Sequence, residues 1–197
     1  MPSIPMAKAL KTALLLAALT ATTAAGAELT AADVLKSAPS LMVNPLSTTK
    51  VADLIEYARA GMLSHAEKNA AGAEARILAL DSIHAELQTG PGRVLAFELL
   101  PVKNDTVIAV IETITSQVAD SRMTIYSRDW TPLPRLWKEP AASAWGKLDE
   151  APVVMASYSY SPSTRTLTLT NTSEERDRMK PALTYTWTAK GFRPVKK

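Results

Sequence analysis

The chain has 197 residues, of which 22 are basic, 19 acidic and two histidine, and it contains no cysteine. The lack of cysteine excludes disulfide bonds, thiol nucleophiles and thiolate metal sites. The formal charge of +3 is small for a chain of this length.

Residues 1–27 are predicted to be a secretory signal peptide. Lys8 and Lys11 form a basic segment, and residues 13–25 form a short apolar run. A membrane-spanning helix needs about 20 apolar residues, so this run is too short to cross a bilayer. Ala25-Gly26-Ala27 matches an A-x-A cleavage site. The mature chain should therefore begin at Glu28 and be exported to the periplasm or secreted. The alternative is an uncleaved amino-terminal anchor.

Removal of the leader takes away Lys8 and Lys11, which lowers the formal charge from +3 to +1. A nearly neutral chain gives no reason to expect nucleic acid or an anionic membrane as a partner. No second long apolar run follows, so we expect no transmembrane segment in the mature chain. Residues 28–197 are long enough for a single domain that buries roughly 70% of its unfolded surface.

Residues 28–72 are predicted to be mainly helical. A first helix should begin at Thr30, which can cap it, with Asp33 in its first turn and Pro39 ending it. A second helix is predicted over residues 49–70, capped by Thr48 or Thr49. Its apolar side chains fall on one stripe at helical spacing: Val51, Leu54, Ile55, Ala58 and Met62. This stripe should pack on the strands that follow, like a lid.

From residue 75 the apolar period changes from 3.6 to 2, which predicts strands. Residues 75–134 read as a first meander, with turns at Gly90-Pro91-Gly92 and Lys103-Asn104-Asp105. Residues 135–152 are an irregular loop with room for one helical turn, and residues 153–197 form a second meander. The predicted fold is α+β, with amino-terminal helices packed on a largely antiparallel meander of about seven to nine strands. The alternative splits the strands into two sheets near residues 135–152.

Four segments carry a resemblance to a known family: AADVLKSAPSLMVNPLS, VADLIEYARAGM, FELLPVKNDTVIAVIETI and MTIYSRDWTPLP. In this order they resemble the domain of unknown function 3256, small exported proteins of Bacteroidales. The match covers about residues 31–134, and the segment AEKNAAGAEAR departs from the glycine-rich basic stretch of the relatives. The resemblance implies export and a bacterial group. It implies no activity, because the family has none assigned.

Two carboxylates interrupt otherwise apolar strands and are the candidates for a catalytic pair. Glu98 and Glu112 lie on strands joined by the turn at residues 103–105. If residue 98 pairs near residue 110, the two carboxylates lie diagonally on one face, as a glycosidase would require. The alternative places Glu98 at solvent or a sheet edge and Glu112 where its strand leaves the core.

The two histidines each lie in a His-Ala-Glu tripeptide. His84 and Glu86 fall on a predicted strand, where residues i and i+2 share a face and could offer two metal ligands. A zinc site needs three or four ligands, so solvated strand residues are the alternative. His65 and Glu67 fall on the predicted helix, where they point to nearly opposite sides. No serine nucleophile motif, phosphate-binding loop or dinucleotide fingerprint occurs, and no cofactor is predicted.

Tryptophans are concentrated in the carboxy-terminal half. Trp137 and Trp145 lie in the irregular loop, where exposed rings could stack on a sugar or hold a peptide, or simply pack. Trp130 and Trp187 end predicted strands and are expected to fill the core. Asp81-Ser82 and Asp105-Thr106 resemble the short O-glycosylation acceptor sequence of this bacterial group.

Three functional hypotheses follow. The first is an exported non-enzymatic protein that binds an envelope protein, a peptide or a glycan through the Trp137 and Trp145 region. The second is an envelope carbohydrate hydrolase that uses Glu98 and Glu112. The third is an envelope assembly or chaperone factor whose second helix is a movable lid over the sheet.

Overall fold

The computed structural model describes residues 28–40, 42–43, 46–103, 105–146, 153–174 and 176–195. The predicted signal peptide and its cleavage site before Glu28 lie outside these residues and stay predictions.

The described residues form ten antiparallel strands in two sheets, which is more than the seven to nine strands predicted for one meander. The first sheet has six strands in sequence order: β1 (Glu67–Lys68), β2 (Glu74–Leu80), β3 (His84–Gly90), β4 (Arg93–Val102), β5 (Asp105–Thr115) and β6 (Ala119–Tyr126). The second has the order β10-β9-β8-β7, formed by β7 (Ala156–Ser161), β8 (Thr166–Asn171), β9 (Ala182–Thr188) and β10 (Gly191–Pro194). The protein is therefore α+β with antiparallel sheets, and the strands divide where the alternative placed the split.

Two helices precede the first sheet. Helix α1 (Ala31–Ser37) begins with the expected cap, because Thr30 Oγ1 accepts from the Asp33 amide at 3.2 Å and Asp33 Oδ2 accepts from the Thr30 amide at 3.1 Å. Helix α2 (Thr48–Arg59) is capped by Ser47, one residue before the predicted caps. The reciprocal bonds at the start of α1, and the single bond from Ser47 at the start of α2, satisfy amides that a helix start would otherwise leave unpaired.

The prediction that the second helix runs to residue 70 is wrong, since α2 ends at Arg59. Gly61 follows in the left-handed region at a φ of 79°, a conformation that glycine adopts without strain and that ends helices. The chain then turns into β1. Asn69 organises the next turn, from β1 to β2, because its Oδ1 accepts from the Ala71 and Ala73 amides and its Nδ2 donates to the Thr89 carbonyl at 2.9 Å.

The first sheet has two covered faces, which we name the helix face and the inner face. Leu95, Phe97 and Leu99 of β4 point to the helix face, where they pack with the apolar stripe of α2. Ala96 and Leu100 point to the inner face and pack with the second sheet. The sequence of β4, RVLAFELLPV, is nearly continuously apolar, which is the pattern expected of a strand that is covered on both faces.

The second sheet closes over the inner face. Trp187 on β9 donates its indole N–H to the Pro101 carbonyl of β4 at 2.8 Å, and its ring lies 4.9 Å from that of Phe192. Trp187 is buried as expected, while the half-buried Trp130 packs against Phe97 on the helix face. A 3-10 turn at Ala142–Ala144 supplies the helical turn predicted for the connecting loop.

No helix among the described residues is long and apolar enough to cross a membrane.

Candidate binding cleft

A pair of side chains on the first sheet forms the candidate site. The hairpin of β3 and β4 turns at Pro91 and Gly92, and its register places His84 directly opposite Glu98. Directly opposed residues on neighbouring strands point to the same face of the sheet. His84 and Glu98 therefore both point to the inner face.

His84 and Glu98 are joined by a hydrogen bond. His84 Nδ1 lies 2.8 Å from Glu98 Oε1, so the carboxylate holds the ring in one orientation and leaves Nε2 on the opposite side. The hydrogen bond to Glu98 raises the pKa of His84 above its usual value. The pKa of Glu98 is also raised, because burial of its carboxyl group outweighs the favourable bond to His84.

The pair lies in the wall of a cleft of about 270 Å³ between the two sheets. The first sheet contributes His84, Glu86 and Glu98, and β7 of the second sheet contributes Tyr158 and Tyr160. Burial and the nearby Glu98 carboxylate raise the pKa of Tyr160 to about 12, so its hydroxyl stays neutral at ordinary pH. The cleft is slightly smaller than the usual range for sites of small ligands, about 300–1,000 Å³.

Glu98 is the most unusual group in the cleft. Only 3% of the residue is exposed, and its Oε2 has no hydrogen-bond partner in the described part of the chain. A buried carboxylate oxygen without a donor costs free energy, so native proteins rarely retain one without a reason. Glu98 Oε2 is therefore a buried acceptor without a partner, in a side chain that lines the cleft.

Two further carboxylates surround His84. Glu86 Oε1 lies 3.7 Å from His84 Nε2, close enough to attract a charged imidazole and too far for a hydrogen bond. Asp81 Oδ1 accepts from the amides of Ile83 and His84, which fixes the turn into β3. Asp81, Glu86 and Glu98 thus place three acidic side chains around one histidine, and the cleft favours cations and hydrogen-bond donors.

The predicted catalytic pair of Glu98 and Glu112 does not form. The register of β4 and β5 pairs Glu98 with Ala109 instead of residue 110, so Glu112 lies on the helix face and Glu98 on the inner face. A shift of one residue moves every side chain of a strand to the other face. Glu112 instead accepts from Arg93 Nε at 2.7 Å.

His84 and Glu86, the candidate metal ligands, have their side chains on one face of the sheet, as expected from the strand period. The described residues contain no group of three or more side chains suited to hold a metal ion. The prediction that His65 and Glu67 point apart is wrong, because α2 ends before them and His65 Nε2 lies 3.2 Å from Glu67 Oε1.

Of the two alternatives for Trp137 and Trp145, the structure shows packing and not exposed rings. They are 8% and 2% exposed and belong to the core between the sheets. Trp137 packs edge-to-face on Tyr185 and Phe192, and its indole N–H donates to Glu139 Oε1 at 3.1 Å. Rings buried to this extent leave too little open surface to stack on a ligand.

The two predicted O-glycosylation sites differ in their exposure to solvent. Ser82 is exposed in the turn between β2 and β3, whereas Thr106 is half-buried as the second residue of β5. Both stay predictions.

The fold and the cleft define an antiparallel α+β protein with a small acidic site between two sheets. The family model described as a protein of unknown function, DUF3256, matches residues 26–192. The chain belongs to this family.

Among solved structures, a bacterial domain is similar to the chain over most of its length. It is a domain of an uncharacterized protein from Porphyromonas gingivalis W83, 22% identical, with a TM-score of 0.68. The match covers 84% of this chain and 98% of that one, and it shows the fold alone. No curated protein matches the chain.

The coupled pair predicts a pH dependence of stability. The folded pKa of His84 is raised above 6.5 and that of Glu98 above 4.5, so the folded state holds more protons than the unfolded state. Each contribution to stability is present at low pH and lost as the pH rises through the folded pKa. Relative to Glu98→Gln, the wild type should lose on the order of 1 kcal/mol between pH 6 and 9, the usual size of such a bond.

Urea unfolding at several pH values measures this difference. Glu112→Gln is the control, because it makes the same chemical change on the neighbouring strand but on the helix face. A wild type that keeps a constant stability difference from Glu98→Gln over this range would contradict the prediction.

Proposed function

We propose that this protein is a non-enzymatic binding protein of the cell envelope whose ligand enters the cleft at His84 and Glu98. The partner class is a peptide, a glycan or a chain of another envelope protein. This retains the first of the sequence hypotheses and moves its site from the loop tryptophans to the cleft between the sheets.

The observation that carries the proposal is the free Oε2 of the buried Glu98. A ligand donor at this oxygen would satisfy the acceptor that the protein itself leaves unpaired. His84 Nε2 and the Glu86 carboxylate offer further polar contacts at the same wall, and the two tyrosines supply an amphipathic surface. Binding sites for small ligands typically combine a concave, largely apolar wall with a few polar groups that orient the ligand.

The cleft can also extend towards the start of the described chain. A neighbouring cavity of about 260 Å³ shares Tyr160 and Pro162 with it and reaches Leu29 and Arg165. Two adjoining cavities of this size suit two linked units, such as two sugars or two residues of a peptide. This supports the end of a glycan or peptide chain, in an extended conformation, as the ligand.

Binding is favoured over the two other hypotheses by specific contacts. In the described residues, the hydrogen bonds of His84 include no serine or threonine hydroxyl that it could activate as a nucleophile. Glu98 and Glu112 are on opposite faces, which removes the carboxylate pair. Helix α2 buries Val51, Leu54 and Ile55 in the core against the first sheet, and this packing weighs against a movable lid.

Ligand binding can be tested by NMR on the exported protein. The two histidines give every sample an internal control. His84 lies in the cleft, whereas His65 lies outside it and stacks on Tyr57 of α2. Short peptides, neutral saccharides and amino sugars are titrated, and the imidazole resonances are followed. A ligand of the cleft should shift His84 and leave His65 unchanged.

Ala96→Leu tests whether the cleft itself is used, because Ala96 lines it and a larger side chain would fill part of its volume. Binding should be lost in this variant while the circular dichroism spectrum is kept. Binding that leaves the His84 resonances unchanged and survives Ala96→Leu would refute the proposed site.

Export to the periplasm or beyond is part of the same proposal. It is supported by the leader-like sequence of residues 1–27. Expression in a bacterial host followed by cell fractionation and intact mass measurement should give a chain that begins at Glu28 outside the cytoplasm. A full-length chain retained in the cytoplasm would contradict it.

A further inference from the structure

We infer that the cleft at His84 and Glu98 recognises a protonated amine, such as a peptide amino terminus, a lysine-like side chain or an amino sugar. This inference rests on the proposed binding function and names the chemical class of its ligand. The amine is expected to donate to Glu98 and to lie between the acidic wall of the first sheet and the tyrosines of the second.

The charges of the cleft favour a cation over an anion. Asp81, Glu86 and Glu98 line it, and His84 is the one basic side chain among its described lining residues. The adjoining cavity adds one charge of each sign, Glu28 and Arg165. Even with His84 protonated, the three carboxylates leave an excess of negative charge when all are ionised. A ligand carboxylate or phosphate would be repelled, while an ammonium group would be attracted.

The unpaired oxygen of Glu98 is a second observation, independent of the charge count. Glu98 Oε1 is used by His84, and Oε2 has no partner although the residue is only 3% exposed. An ammonium group carries three N–H donors and can serve Oε2 and a neighbouring carboxylate together. A hydroxyl group carries a single donor and cannot serve both at once.

The opposite wall suits the same ligand. Tyr158 and Tyr160 line the cleft from β7, and their aromatic rings can attract a cation or lie against the carbon skeleton next to it. Tyr158 is already engaged, because its hydroxyl donates to Glu139 Oε2. Tyr160 is therefore the ring best placed to receive the ligand.

Matched probes that differ only in the amine test the inference. Glucosamine is compared with glucose, and the dipeptide Ala-Ala with its N-acetylated form, by titration of the exported protein at pH 7 while the His84 resonances are recorded. The amine-bearing probe of each pair should bind at least about tenfold more tightly, as expected for a charge-assisted hydrogen bond. Glu98→Gln should remove this preference, and Glu112→Gln should retain it.

The results separate the inference from the function on which it rests. Equal binding of glucose and glucosamine at the His84 resonances would overturn the amine preference and leave the binding cleft in place. Binding of neither probe pair at His84, with His65 also unchanged, would count against both. An amine preference that persists in Glu98→Gln would overturn the assignment to Glu98.

Discussion

Replacing Trp187 by alanine is expected to lower the free energy of unfolding by about 3–5 kcal/mol, the usual cost of removing a large buried aromatic side chain. Trp187 is 3% exposed and lies in the core between the two sheets. The substitution leaves a cavity in that core and also removes the donor to the Pro101 carbonyl. It should therefore loosen the second sheet from the first, which forms the opposite wall of the cleft.

Trp187→Phe separates these two effects. Phenylalanine keeps most of the packing against Phe192 but has no N–H, so the remaining loss should be about 1 kcal/mol for the missing hydrogen bond. Chemical denaturation followed by circular dichroism measures both variants. A Trp187→Ala protein within about 1 kcal/mol of wild type would show that the sheets do not depend on this contact.

Replacing Gly191 by alanine is expected to destabilise the protein by roughly 3 kcal/mol or more, because two penalties act together. Gly191 has a φ of 94°, where side chains other than that of glycine are strained. A Cβ at this position would also overlap the backbone of Leu136. Backbone atoms cannot rotate away as a flexible side chain can, and the Phe192 amide donates to the Leu136 carbonyl at 3.0 Å in the same contact.

Gly61→Ala is the matched control. Gly61 also has a positive φ, of 79°, but a Cβ there would meet no atom within 4 Å. It should show the backbone strain alone, at about 1 kcal/mol. The difference between the two variants in thermal or urea unfolding then reports the close approach of β10 to the connecting loop. Equal losses in both variants would contradict this account.

The register of the two central hairpins shows where sequence reasoning succeeds and where it fails. His84 and Glu98 are separated from Pro91 by the same number of residues along the chain. A hairpin centred on Pro91 therefore places the two side chains opposite each other, and the sequence alone is enough to predict this pair. The predicted pairing of Glu98 with Glu112 does not use this symmetry. At the next turn, Val102 pairs with Asp105, one residue tighter than predicted, and this single step moves Glu112 to the helix face.

The second helix shows a different limit. Its apolar stripe correctly identified Val51, Leu54 and Ile55 as core residues, but the pattern was extended through Met62, which is 53% exposed. Met62 continues the helical spacing of the apolar residues only by chance. The sequence pattern does not reveal this, because the helix ends through the left-handed backbone of Gly61, which is seen only in the structure.

The sequence by itself determined the order of the longer helices and strands, the cap at Thr30 and the turn at Pro91 and Gly92, because these depend on neighbouring residues. It also excluded disulfide bonds, because it contains no cysteine. Only the tertiary structure decided that Trp137 and Trp145 are buried and that Tyr160 faces Glu98 across a cleft. Those contacts join strands far apart in the chain, as Trp187 and Pro101 do across 86 positions. They depend on how one sheet packs on another, which no local pattern specifies.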